Sequence, residues 1–239
     1  MTDHAAYTES AAYYDAIYAA IGKDYAREAH LIHALIQQHK RSRGNALLDV
    51  ACGTGGHIAH LRDTYAVRGL DLDAEMLAIA RRTYPDVVFH QADMVDFDLG
   101  QRFDAVVCLF GAIAYVLSVP RLRQALATMR RNLHPGGVII VEPFIAPQVF
   151  RDGYISADFV DRPDLKLARM CVSRKHGEVG TLDFHFLVAT LDGVRHFTER
   201  HDLALFSHDN YVEAFRAAGM EAIHDPQGLI GRGLYIGTC

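Results

Sequence analysis

Residues 47–55 read Leu47-Leu48-Asp49-Val50-Ala51-Cys52-Gly53-Thr54-Gly55, and the rest of the chain is organised around them. Leu47 to Val50 predict a short buried strand, and Gly53 and Gly55 predict a tight turn into a helix over 56–65. A strand, a glycine turn and a helix in this order place free backbone N–H groups beside a small ligand. Glycine is needed in such a turn because a Cβ would block the ligand's approach.

The turn fits one class of cofactor better than another. A dinucleotide fingerprint needs a third glycine, and Ile58 stands at that position, which disfavours an NAD-linked oxidoreductase. The chain has instead an acidic residue, a small residue and then G-x-G. A carboxylate beside this loop suits a cofactor that carries an ammonium group better than one that carries a pyrophosphate.

Composition and charge exclude several other classes of protein. The chain has 239 residues, of which half are hydrophobic and 22% are charged, and this predicts one globular domain. Its 24 Lys and Arg against 29 Asp and Glu give a net charge of −5 without a basic stripe, so we expect no nucleic-acid partner. With no apolar run of 18 residues and no secretory signal, we expect a cytoplasmic protein without membrane contact.

Cysteine and histidine give no sign of a metal or disulfide framework. The four cysteines are far apart and include no C-x-x-C pair, so we expect reduced thiols; they are Cys52, Cys108, Cys171 and Cys239. The 14 histidines show no H-E-x-x-H spacing. We therefore predict no metal site.

Alternating strands and helices follow the glycine loop. Strands are predicted at 67–72, 87–90, 103–109 and 138–142, with helices between them, and such alternation predicts an α/β fold with a doubly wound, mostly parallel sheet. Ligands of such sheets bind at the carboxyl ends of the strands. The residues at those ends are Asp49, Asp71, Asp93, Leu109 and Glu142.

Two of these acids suggest a nucleoside. Asp71 lies 18 residues after Gly53, a spacing at which α/β nucleotide folds place a carboxylate on the ribose. Asp71 is also a candidate cap for the helix that follows, but Asp73 is better placed to cap it. Asp93 follows the third strand and is placed to accept a hydrogen bond from an adenine amino group.

We expect a single domain over 1–239 with four parts. Residues 1–44 are helical, with Tyr14 and Tyr18 on one helix face, which either packs on the main domain or forms a lid. Residues 45–145 form the cofactor-binding core, and 150–206 form an antiparallel insertion after strand five, with strands from 166 and a hairpin at Asp192-Gly193. Residues 207–239 supply a helix capped by Ser207 and two more strands.

The segments V-A-C-G-T-G, G-L-D-L-D and H-P-G-G resemble the class I S-adenosylmethionine (SAM) methyltransferases, a Rossmann-like fold. The segments Tyr14-Asp15 through Gly22-Lys23-Asp24-Tyr25, Val141-Glu142-Pro143-Phe144 and Gly231-Arg232-Gly233-Leu234 are similar to bacterial N,N-dimethyltransferases of nucleotide-linked 3-amino deoxysugars. That resemblance implies SAM-dependent N-methylation of an amino sugar on dTDP in natural-product biosynthesis. A homodimer through the inserted hairpins is also implied by resemblance.

The resemblance assigns roles to individual residues. It places the methionine part of SAM on Ala51 and Gly53, the ribose on Asp71, and the adenine between Met76 and the Asp93-Met94 pair. The full cofactor-binding set is Asp49, Ala51, Cys52, Gly53, Gly55, Asp71, Leu72, Met76, Asp93, Met94 and Leu109. The implied catalytic set is Tyr14, Tyr115 and Glu142, and the substrate-binding set is Tyr18 and Arg232.

One residue departs from the resemblance. The sugar enzymes typically carry a histidine shortly after strand four, where this chain has Tyr115. A tyrosine with a pKa near its ordinary value of about 10 is a poor base at neutral pH. Either no protein base is required or the acceptor differs, for example an indole that is C-methylated. A non-catalytic SAM-binding protein is the remaining alternative.

Overall fold

Five parallel strands form the centre of the computed structural model, which describes residues 7–238. They are β1 (Ala46–Val50), β2 (Ala66–Asp71), β3 (Val88–Gln91), β4 (Phe103–Cys108) and β5 (Leu133–Val141). Strand β4 is wholly buried and lies between β1 and β5. The strand predicted at 103–109 is confirmed, and its apolar sequence suits this central position.

Four antiparallel strands follow as a separate sheet. They are β6 (Ile155–Arg162), β7 (Leu165–His176), β8 (Val179–Thr190) and β9 (Gly193–Ala204), paired in that order. The sequence predicted strands only from 166 onward and so missed β6, which is mostly exposed and buries only Val160. The antiparallel insertion after strand five is confirmed, with one strand more than predicted.

The chain then returns to the first sheet with β10 (Glu221–Asp225) and β11 (Leu234–Thr238). The sheet order is β10-β11-β5-β4-β1-β2-β3, and β11 is antiparallel to both β5 and β10. The α/β class and the mostly parallel sheet are therefore confirmed. All the parallel strands end at one edge, where the glycine loop lies.

Among the described residues, six α-helices flank the sheets: α1 (Tyr14–Ala20), α2 (Tyr25–His39), α3 (Ile58–Leu61), α4 (Ala74–Thr83), α5 (Val119–Arg131) and α6 (His208–Ala217). One buried cluster joins α2, α3 and α4 to one face of the seven-stranded sheet, and another joins α5 and α6 to the opposite face. Ile17 of α1 packs instead against the antiparallel sheet. The sheet is therefore doubly wound.

No helix among residues 7–238 has the length and apolar content to cross a membrane.

Caps predicted from sequence are confirmed, whereas two boundaries were wrong. Asp73 Oδ1 accepts hydrogen bonds from the N–H groups of Glu75 and Met76, and Ser207 caps α6. The helix predicted over 56–65 is regular only over Ile58–Leu61, because the turns beside it mix bonds to the third and the fourth preceding residue. The strand predicted at 138–142 begins earlier, at Leu133, and the H-P-G-G segment is a bulge inside it, since pairing with β4 shifts register between Leu133 and Val138.

Candidate active site

Two adjoining cavities lie at the carboxyl ends of the parallel strands, where ligands of α/β sheets bind. The larger has a volume of about 750 Å³ and opens over β1, β2 and β4. The smaller has a volume of about 130 Å³ and lies between α1 and the antiparallel sheet. Five residues line both cavities, and these are Tyr7, Tyr14, Phe110, Tyr115 and His201.

The glycine loop forms the floor of the larger cavity. Gly53 lines it with φ +55°, and no atom lies within 4 Å of the position that a Cβ would take there. Ala51 lines it too, in the left-handed region at φ 57°. Gly55 and Cys52 are not among the residues that line either cavity. A Cβ on Gly55 would meet the Tyr84 ring at 2.9 Å, so this glycine allows close packing against Tyr84. The loop backbone thus leaves room for a ligand.

Asp71 organises the loop. Its Oδ2 accepts a 2.7 Å hydrogen bond from Gly53 N, and its Oδ1 accepts one of 2.9 Å from Asp73 N. Burial raises the pKa of Asp71 to about 6, although these backbone bonds oppose the shift. Asp71 and the neighbouring Leu72 both line the larger cavity. Asp71, the residue predicted to bind the ribose, therefore also fixes the glycine loop.

Asp49 is buried near the carboxyl end of β1, is not among the residues that line either cavity, and has a free oxygen. The residue is 2% exposed, and its Oδ2 has no hydrogen-bond partner in the described part of the chain. Burial, and then the charge of Asp71, raise the pKa of Asp49 to about 8. A buried carboxylate is costly unless a cation or a donor reaches it. This orphaned oxygen fits a ligand that carries an ammonium group.

An apolar wall completes the larger cavity. Met76 is fully buried at the start of α4, and Met94 and Leu109 line the cavity beside it. Asp93 is also present, but its Oδ2 already accepts a 2.9 Å hydrogen bond from Arg121. Any adenine amino group at Asp93 would share the carboxylate with this guanidinium, which the sequence did not reveal.

Tyrosines and two guanidinium groups surround the smaller cavity. The rings of Tyr14 and Tyr18 are 4.5 Å apart between centroids, as their spacing on a helix predicts. Arg232 lies over the Phe110 ring at 5.3 Å from its centroid. Arg169, which the sequence reasoning missed, lies over Tyr18 at 5.4 Å and bonds to Asp158. The predicted substrate residues Tyr18 and Arg232 therefore line one cavity.

Glu142 lies behind Phe110 and not on a described cavity wall. Its Oε2 accepts a 2.6 Å hydrogen bond from Phe110 N. Its Oε1 is buried and has no hydrogen-bond partner among residues 7–238. Burial raises the pKa of Glu142, while the Phe110 N–H and the charges of Arg232 and Lys23 lower it. Glu142 Oε1 can therefore accept a hydrogen bond from a ligand.

A histidine does enter the site, but from another part of the chain. Tyr115 Oη lies 2.6 Å from His201 Nδ1 and 3.3 Å from Tyr7 Oη. His201 belongs to β9, and it is 3% exposed. The departure at Tyr115 therefore stands, but the cavities that Tyr115 lines also contain an imidazole from another element.

Comparison with known proteins places these features in context. Residues 47–137 match a family model described as a methyltransferase domain. The chain is 43% identical over 231 residues to dTDP-3-amino-3,6-dideoxy-alpha-D-glucopyranose N,N-dimethyltransferase of Streptomyces fradiae, covering 96% of this chain and 90% of that one. It is 41% identical to dTDP-3-amino-3,4,6-trideoxy-alpha-D-glucopyranose N,N-dimethyltransferase of Streptomyces venezuelae, covering 94% and 95% of the two chains.

Solved structures agree with the sequence comparison. Streptomyces venezuelae DesVI superposes with a TM-score of 0.91 at 41% identity, covering 97% of this chain and 98% of that one. SAM-bound CalS10, an amino pentose methyltransferase of Micromonospora echinaspora, superposes with a TM-score of 0.85 at 37% identity, covering 99% of each chain. The chain is thus an enzyme of the class I SAM-dependent methyltransferases and belongs to the family of the dTDP-amino-sugar N,N-dimethyltransferases.

Proposed function

We propose that this methyltransferase N-methylates an amino sugar carried on dTDP, in the biosynthesis of a natural product. The observation that carries the proposal is the smaller cavity, in which Tyr14 and Tyr115 face the same space as Arg232. An amine acceptor needs polar groups near the methyl donor, and a diphosphate needs a guanidinium. Two relatives that match nearly the whole chain are named as N,N-dimethyltransferases of dTDP-linked amino sugars, which supports the same acceptor here.

The larger cavity would hold SAM. Asp49 would take the ammonium group, Ala51 and Gly53 the methionine backbone, and Asp71 the ribose, with Met76 and Met94 on the adenine. When bound, SAM supplies a sulfonium-activated methyl group. The protein's task is then to hold a neutral nucleophile about 3–3.5 Å from that methyl group, because proximity and alignment supply much of the rate.

The smaller cavity would hold the acceptor. In this proposal the amine reaches past Phe110 and donates an N–H to the free Glu142 Oε1. Tyr14 and Tyr18 close the space around the sugar. Arg232 pairs with a phosphate, since a planar guanidinium matches phosphate oxygens in a bidentate way. Arg169 adds a second guanidinium to the lining, from the inner face of β7.

The proposal is tested by calorimetric titration with S-adenosylhomocysteine, followed by dTDP. We expect both to bind, and Arg232→Ala to weaken dTDP binding about 10- to 100-fold, as expected for a lost hydrogen bond to a charged group. Arg162→Ala is the control, because Arg162 pairs with Asp164 in an exposed turn. Methylation of a dTDP-3-amino sugar is then followed by mass spectrometry.

Binding of S-adenosylhomocysteine without dTDP binding would contradict the nucleotide-sugar acceptor. It would leave a methyltransferase for another small molecule. The aromatic lining of the smaller cavity, with Tyr18, Phe110 and Phe184, favours an indole as that alternative. Methyl transfer to carbon in place of nitrogen would then be seen in the product.

We also propose a homodimer through the outer face of the antiparallel sheet. Strand pairing places an exposed apolar group on that face, formed by Ile155, Phe159, Met170, Leu187 and Val194. Exposed apolar patches of this kind typically mark interfaces. Light scattering should give twice the mass of one chain, and Phe159→Glu should yield monomers. A monomeric wild-type protein would contradict this assembly.

A further inference from the structure

Three polar side chains from two parts of the chain lie together at the boundary of the two cavities. Tyr115 follows β4, whereas His201 and Glu199 occupy inward positions of β9. Tyr115 Oη lies 2.6 Å from His201 Nδ1, and His201 Nε2 lies 3.7 Å from Glu199 Oε2. Both Tyr115 and His201 line both cavities, so this group faces the place where donor and acceptor would meet.

Glu199 is fixed by the N-terminal segment. Its Oε1 accepts 3.0 Å hydrogen bonds from Thr8 N, Thr8 Oγ1 and Ser10 N, and its Oε2 accepts one from Ser10 Oγ. Burial raises the pKa of Glu199, but the neighbouring His201 and the hydrogen bonds from Ser10 and Thr8 outweigh it and hold the pKa at about 2. Glu199 is therefore an anion at neutral pH.

The anion selects one form of the imidazole. A carboxylate on the Nε2 side favours the tautomer with its proton on Nε2, because that N–H points toward the negative charge. The lone pair of Nδ1 is then directed at the Tyr115 hydroxyl. The same carboxylate stabilises the imidazolium if Nδ1 takes up a proton.

Tyr115 alone cannot serve as the base. Burial raises its pKa well above the ordinary value, so a free tyrosinate is strongly disfavoured. The hydroxyl can still pass a proton on, provided that its own proton leaves as another arrives. His201 Nδ1 is in hydrogen-bond contact with that hydroxyl and is free to take the proton.

We propose that His201, held by Glu199, accepts through Tyr115 the proton that the acceptor amine gives up. The amine N–H bond breaks as a new O–H bond forms on Tyr115, while the original Tyr115 O–H bond breaks and an N–H bond forms on His201 Nδ1. The freed electron pair stays on the amine nitrogen. His201 acts through Tyr115 and is thus a positioning residue; the inference rests on the proposed amine acceptor.

The test is the pH dependence of turnover in His201→Gln. The titratable groups facing the contact are Tyr7 from the N-terminal segment, Tyr14 and Tyr18 from α1, Asp71 from β2, and Glu199 from β9. Near pH 7 the acceptor is an ammonium ion, so we expect kcat to fall about 10- to 100-fold while the KM values stay within about twofold. At about pH 9.5 the amine loses its proton in solution, so the variant should approach the wild-type rate.

A structural defect would lower the rate equally at all pH values, and that result would overturn the proposal. Tyr115→Phe is an independent variant, and its kcat near pH 7 should fall by a similar factor. In the double variant of His201→Gln and Tyr115→Phe, kcat should fall no further than in either single variant. Nitrogen-15 NMR of labelled histidine in the substrate-free enzyme adds a readout apart from activity. The His201 Nδ1 resonance should be that of a hydrogen-bond acceptor and should shift in Tyr115→Phe.

The outcomes separate this inference from the proposed function. If the wild-type enzyme does not methylate the dTDP-amino sugar, both are overturned. If it does, and His201→Gln is as active as the wild type near pH 7, only the proton transfer through Tyr115 to His201 is overturned. Circular dichroism and S-adenosylhomocysteine binding establish that each variant is folded.

Discussion

Thr54 Oγ1 donates a 2.6 Å hydrogen bond to Asp15 Oδ1 and so joins the cofactor loop to helix α1. Thr54→Val keeps the shape of the side chain but removes this donor. We expect a loss of about 1 kcal/mol in the free energy of unfolding and faster amide hydrogen exchange in α1. Thr83→Val is the control, since Thr83 Oγ1 bonds only within its own helix, to Ile79 O. Equal exchange in both variants would contradict the link.

Binding of S-adenosylhomocysteine should release a proton near pH 7. Asp49 has a pKa of about 8 in the free enzyme, so it is mostly protonated there. An ammonium group beside it favours the charged carboxylate and lowers that pKa. Titration calorimetry in buffers of different ionisation enthalpy measures the release, which should vanish in Asp49→Asn. A binding enthalpy that is independent of the buffer would refute this expectation.

The raised pKa values of Asp49 and Asp71 also make the stability of the free enzyme depend on pH. The unfolded pKa of an aspartate is about 3.9, and the folded pKa values of Asp49 and Asp71 are about 8 and about 6. Because the folded state then binds more protons, stability is greatest below the unfolded pKa and declines as pH rises through the folded pKa values. Asp49→Asn should flatten this decline and make the free enzyme more stable than the wild type at about pH 8. Urea unfolding across this pH range measures it.

Glu142→Gln should separate catalysis from cofactor binding. The amide oxygen can still accept the bond from Phe110 N, so the strand end should keep its shape. We expect kcat to fall about 10- to 100-fold, because the group that orients the amine loses its charge. Affinity for S-adenosylhomocysteine should remain within about twofold of wild type. Glu221→Gln on β10 is the exposed control, and a large loss of cofactor affinity in Glu142→Gln would refute the role.

Most of the cofactor side was predictable because it depends on chain order. The ends of parallel strands meet at one edge of a sheet, so Asp49, Asp71 and Leu109 could be grouped from their positions alone. The distinction between Asp71 and Asp73 was also predictable, since helix capping depends on local sequence. The structure agrees on the cap, with Asp73 at the start of α4.

The acceptor side was less predictable because it is built by pairing distant strands. Arg169, Glu199 and His201 carry no motif, and strand register alone brings them to the inner face of the antiparallel sheet. A signal was nevertheless present. Phe197 and Leu203 mark the inward positions of β9, and the polar residues at 199 and 201 fall on the same alternation. Polar side chains on an apolar face indicate a network or a site.

Phe110 also has a consequence for altering the enzyme's acceptor range. Its ring separates cavities of about 130 and about 750 Å³, and its backbone is held in the left-handed region at φ 57°. That conformation costs a residue with a Cβ about 1–2 kcal/mol and costs glycine almost nothing. Phe110→Gly would therefore relieve the strain and join the two cavities. Position 110 is where a larger acceptor can be accommodated without altering the cofactor loop.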